Sequence, residues 1–201
     1  MKVALIGQKG IPAQKGGVER HVEDLATQLQ SLGVSVYVYA RQNYTGVKKR
    51  EFDHQGIKVI NLPSIPTKNL DAISHTFFSI LHLAFKKVDV VHFHSIGPSS
   101  LIWMVKLFKP KTPVVATFHT QCYFHQKWSK LAKLYLKMGE KICCRWADKI
   151  IVVSKTLKKY VRNVYNIEAY YIPNGVSLPK KTKEINEIKK KLYNLGKKIM
   201  A

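Results

Sequence analysis

The sequence predicts a doubly wound α/β fold: a mainly parallel, Rossmann-like sheet of about seven strands with helices on both faces. Three observations point there. Short apolar runs alternate with helix-length segments almost to the end of the chain. Several of the runs (VDVVHF, PVVATF, KIIVV) are near-continuous and β-branched, as strands buried on both faces of a parallel sheet are. Polar residues and glycines gather just after the runs, at the strand ends where such sheets bind ligands.

The first run, Val3–Gly7, ends in a turn rich in glycine, and a helix over Val18–Leu32 follows. Val34–Tyr39 and Ile57–Leu62 are the next strands, joined by a polar loop with no helix. A helix over Asn69–Lys86 leads to the strand Val88–His94, and Ser99–Phe108 leads to Pro113–Phe118. Trp128–Ala147 then leads to Lys149–Val153, and Lys155–Val164 to the last strand, Ala169–Ile172. After Ile172 the pattern stops. PNGVSLP is turn chemistry, and KKTKEINEIKKKLYNLGKKIMA is a basic amphipathic tail. The expected organisation is one domain over residues 1–178 and a basic linker or tail over 179–201.

A chain of 201 residues that is 46% apolar can bury a sizeable core, which argues against global disorder. Its net charge is +22, unevenly spread. Residues 1–100 hold 12 basic and 7 acidic side chains, whereas residues 101–201 hold 22 and 5. Such a field favours anionic partners: nucleic acid, acidic lipid head groups or phosphorylated substrates. Nucleic acid is not expected, because no helix-turn-helix, zinc or RNA-recognition signature is present. Cys122, Cys143 and Cys144 fit no zinc spacing and read as reduced, mostly buried thiols. No signal peptide precedes Met1, and no apolar run approaches the roughly 20 residues that span a bilayer. The expected location is cytoplasmic, in solution or on a membrane surface.

Five places could carry chemistry. In GQKGIPAQKGGVERHVEDLA, Gly16 and Gly17 fall where a helix should start, although glycine is a poor helix former. Bare backbone there lets N–H groups approach an oxyanion at the positive end of the helix. The spacing is not GxGxxG, and a flexible turn would use the same glycines. In VVHFHSIGPSS, His92 and His94 share one side of a strand, with His94 at its end facing the crevice and His92 packed deeper. In VVATFHTQC, His119 directly follows a buried strand, and Thr120 extends its polar rim; a satisfied core histidine is the alternative. Between Lys127 and Lys149, the side chains Lys127, Lys130, Lys133, Lys137, Lys141 and Arg145 line one side of a helix. Trp128, Leu131, Leu134, Tyr135, Met138, Ile142 and Trp146 fall on the adjoining arc, as a core stripe would. A one-sign stripe suits an anionic external surface. Lastly, Ser154 suits a helix cap, and Asn174-Gly175 is a turn pair expected at positive φ beside the same crevice.

Taken in order, GIPAQKGGVERHVEDLA, DVVHFHSIGP, VVATFHT, ADKIIVVSK and YYIPNGV resemble the N-terminal half of the retaining family 4 glycosyltransferases. These enzymes are of the GT-B type, with two Rossmann-like domains facing across a cleft. The resemblance covers about residues 1–178. It implies that Gly16 and Gly17 approach the donor diphosphate or the acceptor, and that His119 lies by the reacting sugar as a catalytic or donor-contacting group. It also implies that His94 and Thr120 are cleft residues, and that Asn174-Gly175 turn into the interdomain linker. The implied reaction passes a sugar from a nucleotide sugar to an acceptor hydroxyl with retention, and needs no cofactor or metal. A lipid-linked or envelope-polysaccharide acceptor is implied, with docking on an anionic membrane at the inner face of the plasma membrane. The family's second, donor-binding domain has no counterpart in the sequence, so little activity is expected without a second chain or domain to supply it. The alternative is a non-catalytic module, derived from such an enzyme, that binds a membrane surface or a partner.

Overall fold

The computed structural model describes residues 1–126 and 128–175. In chain order the elements are β1 (Lys2–Ile6), α1 (Gly17–Ser31), β2 (Ser35–Arg41), α2 (Gln42–Thr45), β3 (Glu51–His54) and β4 (Ile57–Leu62). Then come α3 (Asp71–Ala84), β5 (Val90–His94), α4 (Ile96–Ser99), α5 (Ile102–Phe108) and β6 (Val114–Phe118). A 3₁₀ turn (Cys122–Phe124), α6 (Lys130–Trp146), β7 (Lys149–Val152), α7 (Lys155–Tyr165) and β8 (Tyr170–Tyr171) follow.

The strands form one sheet in the order β3-β4-β2-β1-β5-β6-β7-β8. Every pairing is parallel except β3 with β4. The expected polar loop therefore contains an eighth, antiparallel strand. Its sequence, EFDH, exposes alternate side chains at the sheet edge, so it lacks the apolar run that marks the buried strands. Gln55 and Gly56 close the hairpin at φ 54° and 81°, the two positive angles that a tight hairpin favours.

Alternation in the strands sorts the apolar side chains into layers. Val3, Leu5, Val36, Val38, Ile57 and Val59 pack with Val22 and Ala26 of α1 on one face. Ala4, Ile6, Val91, Phe93, Val114 and Ala116 pack with α3, α5 and Cys143 of α6 on the other. A third cluster joins Phe118, Ile150 and Val152 to Leu136 of α6 and to Leu157 and Val161 of α7. Cys143 and Cys144 are buried free thiols, and Cys122 is half-buried.

The predicted helix over Ser99–Phe108 begins earlier and breaks at Ser100-Leu101, giving α4 and α5. Gly139 of α6 permits the close approach of α4: a Cβ there would stand 2.5 Å from the carbonyl oxygen of Ile96. The chain moves outward from β1 through β2 to β4, then returns to β5 on the other side of β1. The carboxyl ends of β1 and β5 are thus the switch point of the sheet, where a crevice opens.

Candidate functional site

A crevice of about 780 Å³ lies at these strand ends. Gly7 and Lys9 enter it from the end of β1, Gly16, Gly17 and Glu19 from the start of α1, and Ser95 and Gly97 from the end of β5. Thr120 closes one side, and the first turns of α3 and α6 form the outer wall.

The glycine pair divides into two roles. Gly16 is the N-cap of α1 at φ 106°, a backbone region that favours glycine, and a Cβ there would meet Glu19 Oε2 at 2.1 Å. Gly17 is already helical and has nothing within 4 Å of its Cβ position. No side chain caps α1. Glu19 turns back instead, and its Oε1 accepts the Lys9 N–H at 3.1 Å. The start of the helix is therefore bare, and the open space beside Gly17 faces the crevice.

Arg41, at the end of β2, is buried and lines the same crevice. It donates from Nη1 to Asp71 Oδ2 at 2.6 Å and from Nη2 to the Gly7 carbonyl at 3.5 Å. Burial opposes ionisation of Asp71, but the Ser64 hydroxyl and then the Arg41 charge outweigh it and hold the carboxyl below its usual range. Ser95 sits at φ 75° and ψ 149°, a strained conformation for a residue with a side chain. Glu19, Arg41, Asp71 and Ser95 carry no motif of their own in the sequence. Their only signal was position, at the strand ends or in the first turn of a helix.

Thr120 and the glycine pair thus meet in one crevice. His94 and His119 do not line it. His94, expected to face the crevice, is fully buried, and its Nδ1 is 3.2 Å from His119 Nε2. Both rings pack edge-on against His21 of α1, with centroids 5.7 and 5.0 Å away. His92 lies behind them with Nε2 2.7 Å from Thr117 Oγ1, the packed position expected of it. Burial pulls His119 down to about 4, helped by the neighbouring His21, and His92 down to about 3, helped by His21 and His119. His94 is lowered by burial and by its three histidine neighbours. His21 is lowered by burial against the pull of Asp24. The imidazoles are therefore neutral near pH 7. His21 was missed in the sequence because it reads as one polar residue in a polar stretch.

Asn174 and Gly175 are exposed and do not line the crevice. Neither has the positive φ expected of a turn pair. Ser154 does cap α7, accepting the Leu157 N–H at 3.1 Å. On α6, Lys130, Lys137, Lys141 and Arg145 are exposed and Lys133 is half-buried, while Lys127 lies outside the described residues. The expected apolar core stripe is corrected in part: Trp128, Tyr135 and Ile142 are half-buried, and Trp128 packs on the core, but the rest of the stripe is exposed. Leu131 is 80% exposed, Leu134 66% and Met138 48%, standing among the lysines. The side that packs inward carries Leu136, Gly139, Glu140, Cys143 and Cys144. Among the described residues no helix is long and apolar enough to cross a membrane.

A family model described as Glycosyltransferase Family 4 matches residues 15–179. The alpha-monoglucosyldiacylglycerol synthase of Acholeplasma laidlawii is 24% identical over 193 residues, covering 89% of this chain and 47% of the synthase. The sucrose-phosphate synthase of Thermosynechococcus elongatus superposes with a TM-score of 0.68 at 20% identity, over 88% of this chain and 48% of its own. Arabidopsis thaliana UGT89C1, solved with UDP, superposes with a TM-score of 0.55 at 14% identity, over 90% and 50%. The structural likenesses show a shared fold, and the chain spans about half the length of the curated relative it matches.

Proposed function

The chain belongs to glycosyltransferase family 4, and from that premise we propose that residues 1–178 form the acceptor-side domain of a retaining sugar transferase. The donor is a nucleotide sugar and the acceptor a hydroxyl on a lipid-linked or envelope saccharide. A second domain, in the same polypeptide or another, supplies the rest of the donor site.

One observation carries the reading: the bare start of α1 at Gly16-Gly17 opens into the crevice at the β1/β5 switch point, which Thr120 also lines. As the nucleotide leaves, negative charge grows on its diphosphate. Uncovered backbone N–H groups at a helix start stabilise that charge without reorganisation. No metal is needed for this step. His119, half-buried and one residue before Thr120, stands outside the crevice lining of this domain, and in this reading it hydrogen-bonds the reacting sugar once the second domain completes the cleft.

The test combines the chain with a family donor-binding domain, a labelled nucleotide sugar and acceptor-bearing vesicles. Transfer that His119→Ala abolishes supports the reading. Transfer unchanged in that variant removes His119 from the mechanism, and no transfer with any complementing domain defeats the reading itself.

The exposed Leu131, Leu134 and Met138 among the α6 lysines favour a second reading for part of the molecule, docking at the inner face of the plasma membrane. Binding to anionic vesicles without transfer would leave a non-catalytic membrane-surface module.

A further inference from the structure

His21, His94 and His119 each offer a ring nitrogen, and these three atoms lie within 4.8 Å of one another. Each imidazole comes from a different element: His21 from α1, His94 from the end of β5, and His119 from the residue after β6. The separation of 3.2 Å between His94 Nδ1 and His119 Nε2 is close to the edge of a tetrahedron built on zinc–nitrogen bonds of about 2.0–2.1 Å. His21 and His119 are half-buried, whereas His94 is sealed. The ring of His94 also carries a buried Nε2 with no hydrogen-bond partner among the described residues.

His94 Nδ1 and His119 Nε2 are within hydrogen-bond distance, and which ring donates depends on the tautomer. Among the described residues no carboxylate belongs to the group. A hydrogen bond satisfies one pair at a time, whereas a single cation satisfies all three. Imidazole nitrogens suit borderline transition ions better than magnesium or calcium. We propose that His21, His94 and His119 form a three-histidine site for a divalent ion of the zinc class, with a fourth position open to water or an anion.

The ion would tie α1 to the ends of β5 and β6, so its binding should stabilise the fold by mass action. The inference needs no sugar-transfer activity and stands or falls on direct binding. Its relation to the proposed reaction is competitive: a ring nitrogen of His119 that holds the ion is not free to hold the sugar, so bound ion should inhibit transfer instead of serving the chemistry.

The test titrates the chelator-treated 201-residue chain with cobalt(II) while visible absorption is recorded, and repeats the titration with zinc by calorimetry. The expected result is one ion per chain, the intense visible bands of a tetrahedral cobalt centre, and a melting temperature that rises with zinc. His21→Gln and His119→Gln should each weaken binding roughly 10-fold or more, and His82→Gln should leave it unchanged. His21 is half-buried on a helix surface, so its variant tests the site even if His119→Gln fails to fold. Absence of tetrahedral bands overturns the proposal. So does equal binding by His21→Gln, which would assign the ion to other histidines or to the cysteine thiols.

Discussion

His94 is sealed at the end of β5 with its Nδ1 3.2 Å from His119 Nε2, so the histidine proposed to sit by the sugar is anchored from behind by one that touches no solvent. His119→Ala should therefore lose stability as well as transfer. Leaving buried Nδ1 unpaired costs about 1–3 kcal/mol, read from urea melts. Loss of a positioned hydrogen-bonding group should lower transfer by roughly 10²-fold or more in the complemented assay. His119→Gln should recover part of the stability and little of the rate. Equal recovery of both would make His119 a packing residue only.

Adjacent glycines should respond to alanine with opposite signs. Gly16→Ala forces a side chain into φ 106° and against the Glu19 carboxylate, a loss of about 1–3 kcal/mol. Gly17→Ala adds a methyl in open space at a helical position and should gain about 0.5–1 kcal/mol. Thermal unfolding of the two variants measures this. The same Gly17 methyl narrows the bare start of α1, so nucleotide-sugar affinity in the complemented complex should fall while stability rises. If Gly17→Ala leaves affinity unchanged, the diphosphate does not approach there.

The Arg41–Asp71 pair predicts a pH dependence. Asp71 has a folded-state pKa below its unfolded value, through the Ser64 hydroxyl and the Arg41 charge working against burial. Its contribution is thus fully present above the ordinary carboxylate range and is lost as pH falls through the folded value. Asp71→Asn leaves buried Arg41 without its counter-charge and should cost about 3 kcal/mol at pH 7. In urea melts below the carboxylate range the wild type is itself protonated, and the gap should shrink. A gap independent of pH would show that the pair acts by shape alone.

Relief of strain at Ser95 is a separate expectation. At φ 75° and ψ 149° a serine stores backbone energy that glycine does not, so Ser95→Gly should raise stability by about 1 kcal/mol. Differential scanning calorimetry would detect it, and a fall in the melting temperature would mean that the side chain contributes more than the strain removes.

The parallel strands were legible because burial on both faces forces runs such as VVHF and VVATF, a signal local to each segment. Edge strand β3 was not, because EFDH is half solvated and pairs only through the Gln55-Gly56 hairpin. The meeting of Gly16, Gly17 and Thr120 follows from topology, since all stand beyond strand ends near the switch point. The burial of His94 does not follow, because it depends on rings distant in sequence, His21 of α1 and His119, packing against it. Glu140 shows the same limit. In the sequence it is the lone acid of a basic helix. In the fold it is buried and accepts the hydroxyls of Tyr160 and Tyr165, each at 2.7 Å, from the neighbouring α7. Partners distant in sequence leave no periodic mark.

The outer face of α6 gives the last prediction. Leu131, Leu134 and Met138 gain nothing from the core, yet they stand beside Lys130, Lys137, Lys141 and Arg145 on a helix whose opposite side is firmly packed. A solvated helix would carry acids among its bases and few exposed leucines. A helix lying in a lipid head-group layer needs this mixture, apolar groups to enter the layer and cations to meet its phosphates. Basic residues near an anionic surface contribute about 1 kcal/mol each, so Lys137→Glu with Lys141→Glu should lower binding to anionic vesicles by more than 10-fold. Leu131→Ser with Leu134→Ser should weaken the binding that survives at high salt, where the charge contribution is screened. Both pairs are exposed, so far-ultraviolet circular dichroism should remain unchanged. Vesicle co-sedimentation at low and high salt separates the two contributions. Equal binding of all variants to anionic and neutral vesicles would remove α6 as the contact.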